Sequence, residues 1–284
     1  MRSTSNPVFR NLPRQEGSGY ANFGSGVTGA GQMGQQYGNQ YGQQYQQPQP
    51  YQQPTDTRAM TIDDVVTKTA ITLGVLTLSA IASYALVAAS VVPASLFMLA
   101  GIAGFVLVLV AVFARKMDNP VLVLSYAALQ GLCVGALSFA LTFKVGGVAV
   151  GGLIGQAVLG TFGVFFGMLV VYKTGAIRVT PRLTRMVVGA TFGLVVLALG
   201  NAVASIFTQD GLGLRSGGTL AIIFSLFAIG LAAFNFLLDF DTADQLIRAQ
   251  APEKAAWGVA LGLTVTLVWL YVEILQLLSY FNND

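Results

Sequence analysis

The sequence is poor in the residues that most enzyme active sites need. It has no histidine, a single cysteine and only 10% charged residues, against about 25% in an average soluble domain. These absences exclude a Ser-His-Asp or Cys-His catalytic centre, a histidine-ligated metal site and an internal disulfide. The net charge of +3 is too small to indicate nucleic-acid binding. We therefore expect neither an enzyme nor a nucleic-acid-binding protein, and no resident cofactor.

What the sequence does contain falls into two parts of different composition. Residues 1–57 hold 12 Gln, 9 Gly and 5 Tyr, with too few apolar side chains to offset the entropy of ordering the segment. We interpret residues 1–57 as a disordered tail on the cytoplasmic side. Its Gln- and Tyr-rich tract at 35–53 is either simply solvated or binds a partner. Residues 58–284 form the second part.

The second part is dominated by seven long apolar runs. A helix needs about 20 apolar residues to cross about 30 Å of hydrocarbon. The runs do not alternate with a period of two, which disfavours a β-barrel. We therefore predict an all-α integral membrane protein, a seven-transmembrane-helix bundle, in which Cys133 is a small packing residue. In chain order the runs are Thr69–Ser90, Ala94–Ala114, Val121–Phe143, Val148–Tyr172, Met186–Phe207, Thr219–Leu238 and Ala255–Phe281.

Lysine and arginine are distributed unevenly between the two ends of these predicted helices. The tail and the connections at one end carry 13 of the 15 basic residues, whereas the other end carries only Lys144 and Arg215. Positively charged connections stay in the cytoplasm. We therefore predict a cytoplasmic N-terminus and a C-terminus on the outside, as an odd number of spans requires.

Glu273 is the only Asp, Glu, Lys or Arg within the seven apolar runs. An ionisable side chain in hydrocarbon costs on the order of 3 kcal/mol, so it needs a partner, a wet cavity or a proton. We expect the charge of Glu273 to respond to pH near neutrality, with Gln276 as a polar neighbour one turn away. A structural glutamate, hydrogen-bonded between helices, is the alternative.

A second polar cluster closes the sixth run and contains Asn235, Asp239, Asp241 and Asp244. At about 100° per residue, Asp239 and Asp241 point about 160° apart, so they cannot both face the bundle axis. Asp239 shares a helix stripe with Asn235. Asp244 precedes Arg248 by four residues, and an ion pair between them explains Asp244 without a function. We predict a functional role for at least one of Asp239 and Asp241.

These side chains offer oxygen ligands only. Carboxylate and amide oxygens suit Ca²⁺ or a proton rather than zinc or copper. Glycines spaced four apart also predict close helix packing, which suits a small ion better than a bulky solute. We therefore expect Ca²⁺ or a proton at these carboxylates, with calcium binding Asp239 and Asp241 at most transiently.

Several short motifs together resemble the Bax inhibitor-1 family, also called the transmembrane Bax inhibitor motif family. They are the seven-helix layout, LDFDT at 238–242, YVEIL at 271–275, and Asn-Pro at 119–120 followed by Gln-Gly at 130–131. The resemblance covers about residues 58–281. The NPVF opening at 6–9 and the Gln-rich tail resemble the actinobacterial branch, known as Bax inhibitor-1/YccA proteins. This resemblance implies a location in the bacterial plasma membrane.

The resemblance also implies a pH-sensitive calcium leak, gated by two acids on helices six and seven that share protons. Residue by residue, the pair is Asp241 and Glu273, with Asp239 as the alternate. Their spacing of 32 residues is longer than in the better-known members and separates their depths by about 15 Å. We hypothesise that residues 252–257 run along the membrane surface and let the acids meet. A broken helix six is the other possibility.

Two functions from different classes follow. The first is a channel for Ca²⁺ or another small cation, in which Asn235, Gln276 and Asp244 support the acids. The second is an interaction protein that modulates membrane proteases or stress responses through the tail. A proton-coupled carrier is a third reading, weakened by the lack of a visible paired repeat. An intramembrane di-aspartyl protease ranks last.

Overall fold

A computed structural model describes residues 58–144, 150–208 and 211–282, with side chains for all of these except 143, 144, 150 and 151. The predicted tail at 1–57, including the Gln- and Tyr-rich tract, lies outside the described residues.

Seven α-helices make up nearly all of the described chain, which confirms the predicted all-α bundle. Each helix is long and apolar enough to cross a membrane. Even α2, the shortest at 20 residues, reaches about 30 Å at 1.5 Å per residue. The helices are α1 (Ile62–Ala88), α2 (Ala94–Phe113), α3 (Pro120–Lys144), α4 (Val150–Thr174), α5 (Pro181–Phe207), α6 (Thr219–Arg248) and α7 (Ala256–Phe281), with a 3₁₀ turn at Glu253–Ala255.

The helix ends follow from local sequence signals. Pro181 occupies the first turn of α5, where its missing N–H costs nothing. The Thr180 hydroxyl caps the same helix by accepting a hydrogen bond from the backbone N–H of Leu183 at 3.3 Å. At the end of α6, Gln250 adopts a positive φ of 51°, and Pro252 follows because it cannot continue a helix. Proline and threonine at the start of α5 and proline after the end of α6 thus mark these two helix ends in the sequence.

The connections gather at two faces of the bundle. Residues 58–61 and the α2–α3, α4–α5 and α6–α7 connections lie on one face, which we call the basic face. The Met60 N–H donates to the Ala251 carbonyl at 2.8 Å, and Lys254 pairs with Asp118 at 3.2 Å. The α1–α2 connection, the α5–α6 connection and the end of α7 lie on the other face, which we call the opposite face.

Helix α7 is the centre of the bundle. It packs against α1, α3, α4 and α6, and 61% of its span is buried, compared with 11% for α2, α4 and α5. The polar side chains of α7 are therefore enclosed by other helices, whereas much of α2 and α5 is left to face lipid.

Glycine allows α1 and α3 to approach closely. A methyl group placed on Gly131 or Gly135 would collide with backbone carbonyls of α1, as expected for small-residue packing in lipid. In contrast, nothing lies within 4 Å of a methyl group placed on Gly163 of α4 or Gly189 of α5. The predicted close packing is thus confirmed for α1 and α3 but not for α4 and α5. Cys133 packs against Gly101 of α2, which confirms its predicted role.

An ionic clamp on the basic face joins the start of α1 to the α6–α7 connection. We call it the N-terminal clamp; its members are Arg58, Asp64, Lys68 and Glu253. Arg58 pairs with Asp64 at 2.5 Å and with Glu253 at 3.2 Å. Hydrogen bonding to the Asp64 carboxylate, followed by its charge, raises the pKa of the Arg58 guanidinium. The Lys68 ammonium donates to the Glu253 carbonyl at 2.8 Å and lies 5.7 Å from the centre of the Trp257 ring.

Replacing the buried ammonium of this clamp is expected to destabilise the bundle. Lys68→Met keeps the length of the side chain but removes its hydrogen bond to the Glu253 carbonyl and its ion pair with the Glu253 carboxylate at 3.2 Å, at a cost of about 1–3 kcal/mol. Thermal unfolding of the purified protein in detergent measures the loss. Lys173→Met is the matched control, because Lys173 is exposed on the same face. Equal melting temperatures for the two variants would show that the clamp does not stabilise the fold.

Candidate functional site

Four acidic side chains lie at different heights along α6 and α7. Asp241 and Asp244 are near the basic face, Asp239 lies one half-turn deeper in α6, and Glu273 is far along α7 toward the opposite face. Asp241 and Asp244 share one cluster, whereas Asp239 and Glu273 each make a separate set of contacts.

Asp241 and Asp244 belong to a half-buried cluster between α4 and α6. The Tyr172 hydroxyl lies 3.5 Å from a carboxylate oxygen of each. The Gln245 amide donates to Asp241 at 2.6 Å. Arg248 pairs with Asp244 at 2.8 Å, which confirms the predicted ion pair four residues apart. Both acids are therefore satisfied at the edge of the bundle.

Asp239 points the other way, toward α7. The Thr266 hydroxyl donates to its Oδ2 at 2.7 Å. Gly262 leaves room for the carboxylate, because a methyl group there would lie 3.3 Å from Oδ1. Asp239 therefore faces α7 while Asp241 faces α4, which confirms that the two cannot face the bundle axis together. Among the residues with described side chains, none forms an ion pair with Asp239.

A cleft of about 470 Å³ reaches Asp239 from the basic face. It lies between the α2–α3 connection, α6 and α7, and its charged wall residues besides Asp239 are Arg115 and Asp118. Gly258 and Gly262 form part of the α7 wall, where the lack of side chains keeps the cleft open. A carboxylate inside a membrane-spanning helix thus lines a cleft that is large enough to hold water.

Glu273 is enclosed near the opposite face, where it is 2% exposed. Arg215, from the α5–α6 connection, donates through Nη2 to Glu273 Oε1 at 3.0 Å. The other guanidinium nitrogen, Nη1, donates to Gln276 Oε1. The Ser225 hydroxyl of α6 lies beside the same carboxylate. The partner that a buried carboxylate requires is therefore an arginine from a connection, and Gln276 supports the arginine.

The structure does not bring Asp241 and Glu273 together. Helix α6 is unbroken, and α7 begins at Ala256 directly after the 3₁₀ turn, so the hypothesis of a pairing through a surface-running segment is wrong. The hydrogen bond from Thr266 sets Asp239 level with that threonine. Glu273 follows Thr266 by seven residues, which places it about 10 Å farther along the helix. The residue of α7 that contacts the Asp239 carboxylate of α6 is therefore Thr266, not Glu273.

Asn235 does not reach the acids either. Its amide donates to the Thr191 hydroxyl of α5 at 2.9 Å and to the Leu231 carbonyl, so it ties α6 to α5. Within the described ranges no group of three or more His, Cys, Asp or Glu is placed to hold a metal ion. A cation at Asp239 would consequently keep most of its water, which fits transient binding better than a permanent site.

Sequence reasoning missed Arg215, Thr266 and Tyr172 as partners of the acids. Thr266 and Tyr172 carry no signal of their own in the sequence. Arg215 does carry one, because it is one of only two basic residues at its end of the predicted helices. Glu273 is a buried acid in the same half of the bundle and needs a partner. These two facts together are the signal that could have identified Arg215.

Comparison with known proteins agrees with the fold. The sequence matches the model of the family described as Bax inhibitor 1 like over residues 6–283. No curated protein matches it significantly. The match extends over all seven helices, including the regions that hold Asp239 and Glu273. The chain therefore belongs to the Bax inhibitor-1-like family of membrane proteins.

Proposed function

We propose that the protein lets a small cation, Ca²⁺ above all, leak across the membrane between α6 and α7, under the control of carboxylate protonation. In this role Asp239 receives the ion in the cleft, and Glu273 responds to pH near the opposite face. Asp241 belongs to the rim on the α4 side. No step requires a catalytic residue or a cofactor.

The observation that carries the proposal is the carboxylate of Asp239, which forms no ion pair with any residue whose side chain is described and which lines a cleft. A charge within a membrane-spanning helix is costly unless it is paired, hydrated or protonated. Thr266 supplies one hydrogen bond to Asp239, and the cleft supplies access for water. Such a site attracts a cation or exchanges a proton. A carboxylate with a purely structural role would need neither a cation nor access to water.

The oxygen ligands favour a hard cation. Besides Asp239, the cleft offers the carboxylate of Asp118 and the hydroxyl of Thr242. Calcium accepts such ligands in irregular geometry and exchanges its water readily, whereas Mg²⁺ gives up its water reluctantly. Calcium is therefore the first ion to test.

The distribution of basic residues supports one orientation for this function. With the basic face in the cytoplasm, the Asp239 cleft opens to the cytoplasm and Arg215 lies on the outside of the bacterial plasma membrane. In this orientation calcium that enters from outside meets the Arg215 and Glu273 pair first and Asp239 second.

Neutralising Asp239 tests the proposal. Two unit charges about 4 Å apart attract by about 4 kcal/mol at the effective dielectric of a protein surface. Asp239→Asn is therefore expected to lower calcium flux into proteoliposomes by at least about tenfold. Asp63→Asn is the matched control, because Asp63 is exposed at the start of α1. Equal flux in the two variants would contradict a role for Asp239 in conduction.

Deleting residues 1–57 separates this function from the interaction protein that the tail suggests. A channel formed by the helices should keep its calcium flux without the tail. A regulator of membrane proteases that acts through the tail should lose its partner while the helices stay folded. Flux and co-purification of partners, measured on the same deletion variant, distinguish the two.

A further inference from the structure

The α5–α6 connection places a cation inside the bundle. Arg215 leaves this connection at the opposite face, and its side chain is 37% exposed, whereas that of Glu273 is 3% exposed. The guanidinium therefore extends from solvent to a carboxylate that solvent hardly reaches. Glu273 precedes the last residue of α7 by eight positions, about 12 Å along the helix.

The groups around the guanidinium would also suit a metal cation. They are the carboxylate of Glu273, the amide oxygen of Gln276 and the hydroxyl of Ser225. Glu273 Oε2 is buried and accepts no hydrogen bond of ordinary geometry from any described residue. Arg215 thus satisfies one oxygen of the carboxylate and makes no hydrogen bond to the second. A divalent cation could use both oxygens at once, as calcium often does.

The backbone of the connection favours the inserted position of Arg215. Gly213 and Gly217 flank it with φ values of 76° and 86°, which glycine adopts without strain. The Leu212 N–H donates to the buried Asn201 side chain at 3.0 Å, so one end of the connection is fixed to α5. Rotation at the two glycines would release Arg215 to solvent while leaving this anchor in place.

We propose that Arg215 is a tethered competitor for a divalent-cation site formed by Glu273, Gln276 and Ser225. Calcium arriving at the opposite face binds these oxygens only when the guanidinium has withdrawn. This inference rests on the proposed function for its physiological meaning, because the site would be the first that a leaking ion meets. The site itself is a statement about binding and can be tested without flux.

The competition predicts how removal of Arg215 changes calcium affinity. A site that is free for only a tenth of the time binds its ligand about tenfold more weakly than the same site kept open. Arg215→Gln should therefore bind calcium at least about tenfold more tightly than the wild type, measured by equilibrium binding of radioactive calcium to purified protein. Arg215→Gln combined with Glu273→Gln should lose this gain. Unchanged affinity in a folded Arg215→Gln protein would overturn the proposal.

A second measurement uses the wild-type chain and so does not depend on the variant folding. Trypsin cleaves after exposed arginines, and in nanodiscs it reaches both Arg215 and the exposed Arg178 of the basic face. Calcium up to about 10 mM, above the range of weak extracellular sites, should raise cleavage at Arg215 relative to Arg178 severalfold. A ratio that calcium does not change would contradict displacement of the guanidinium. Cleavage at Arg178 controls for the activity of trypsin.

The two proposals can fail separately. If Arg215→Gln binds calcium tightly but neither it nor the wild type conducts, the site exists and the leak function is wrong. If the wild type conducts and Asp239→Asn does not, while Arg215→Gln changes neither affinity nor flux, the leak stands and the competitor is wrong. If both hold, Arg215→Gln should also raise flux at neutral pH by about tenfold.

Discussion

Glu273→Gln is expected to make calcium flux independent of pH, at the level that the wild type reaches in acid. Arg215 is held by the negative charge of Glu273 at 3.0 Å. Protonation of the carboxylate removes that charge, so the wild type should conduct more as pH falls. Glutamine is neutral at every pH and can still accept a hydrogen bond from Arg215, so the variant should fold. Flux into proteoliposomes between about pH 5 and pH 8 measures the effect.

The loss of pH dependence is expected because few other groups near Glu273 could act as a pH sensor. Histidine, the side chain that normally titrates in this range, is absent from the sequence. Among the described side chains, the charged or titratable neighbours of Glu273 are Arg215 and Tyr280. Neither of them is a carboxylate or a histidine. The response to acid near the opposite face is therefore assigned to Glu273.

Glu16→Gln is the matched control, because Glu16 precedes the membrane-spanning helices. It should leave both the flux and its pH profile unchanged. If Glu273→Gln also kept the wild-type profile, the sensor would have to be another carboxylate. The same pH series on Asp239→Asn would then show whether the sensor lies in the cleft instead.

The fold could be predicted because its signals are local. Seven apolar runs and the turn residues between them determine seven helices, and each signal lies within the element that it describes. The ion pair of Asp244 with Arg248 was equally predictable, because residues four apart in a helix are neighbours whatever surrounds them. The opposed directions of Asp239 and Asp241 follow from the same helical geometry.

The contacts of the acids were less predictable because they join distant parts of the chain. The sequence identified Glu273 as a buried acid that needs a partner, but Arg215 is 58 residues away and lies in a connection. The resemblance suggested Asp241 as the partner of Glu273. This pairing does not form because the register between α6 and α7 places the two acids at different heights. That register places Asp239 opposite Thr266, and no property of either residue alone specifies it.

Close packing by glycine is the feature with the largest expected effect on stability. Gly135→Val would place its first side-chain carbon on the Ala80 carbonyl and the Ser83 hydroxyl of α1. Overpacking of a tight core costs about 1–3 kcal/mol. We expect the upper end of that range, because the nearest atom belongs to the α1 backbone and cannot turn aside as a side chain can. Thermal unfolding in detergent measures the loss.

Gly163→Val separates this steric effect from the general effect of replacing a helical glycine. Nothing lies within 4 Å of the added carbon at Gly163, and valine has a better helix propensity than glycine. This variant should therefore be as stable as the wild type or slightly more so. If both variants unfolded at the same temperature, α1 and α3 would not be in close contact. Helices α1 and α3 both pack against α7, so separating them should also loosen the helix that carries Glu273. Gly135→Val should therefore weaken the pH response of calcium flux, whereas Gly163→Val should leave it intact.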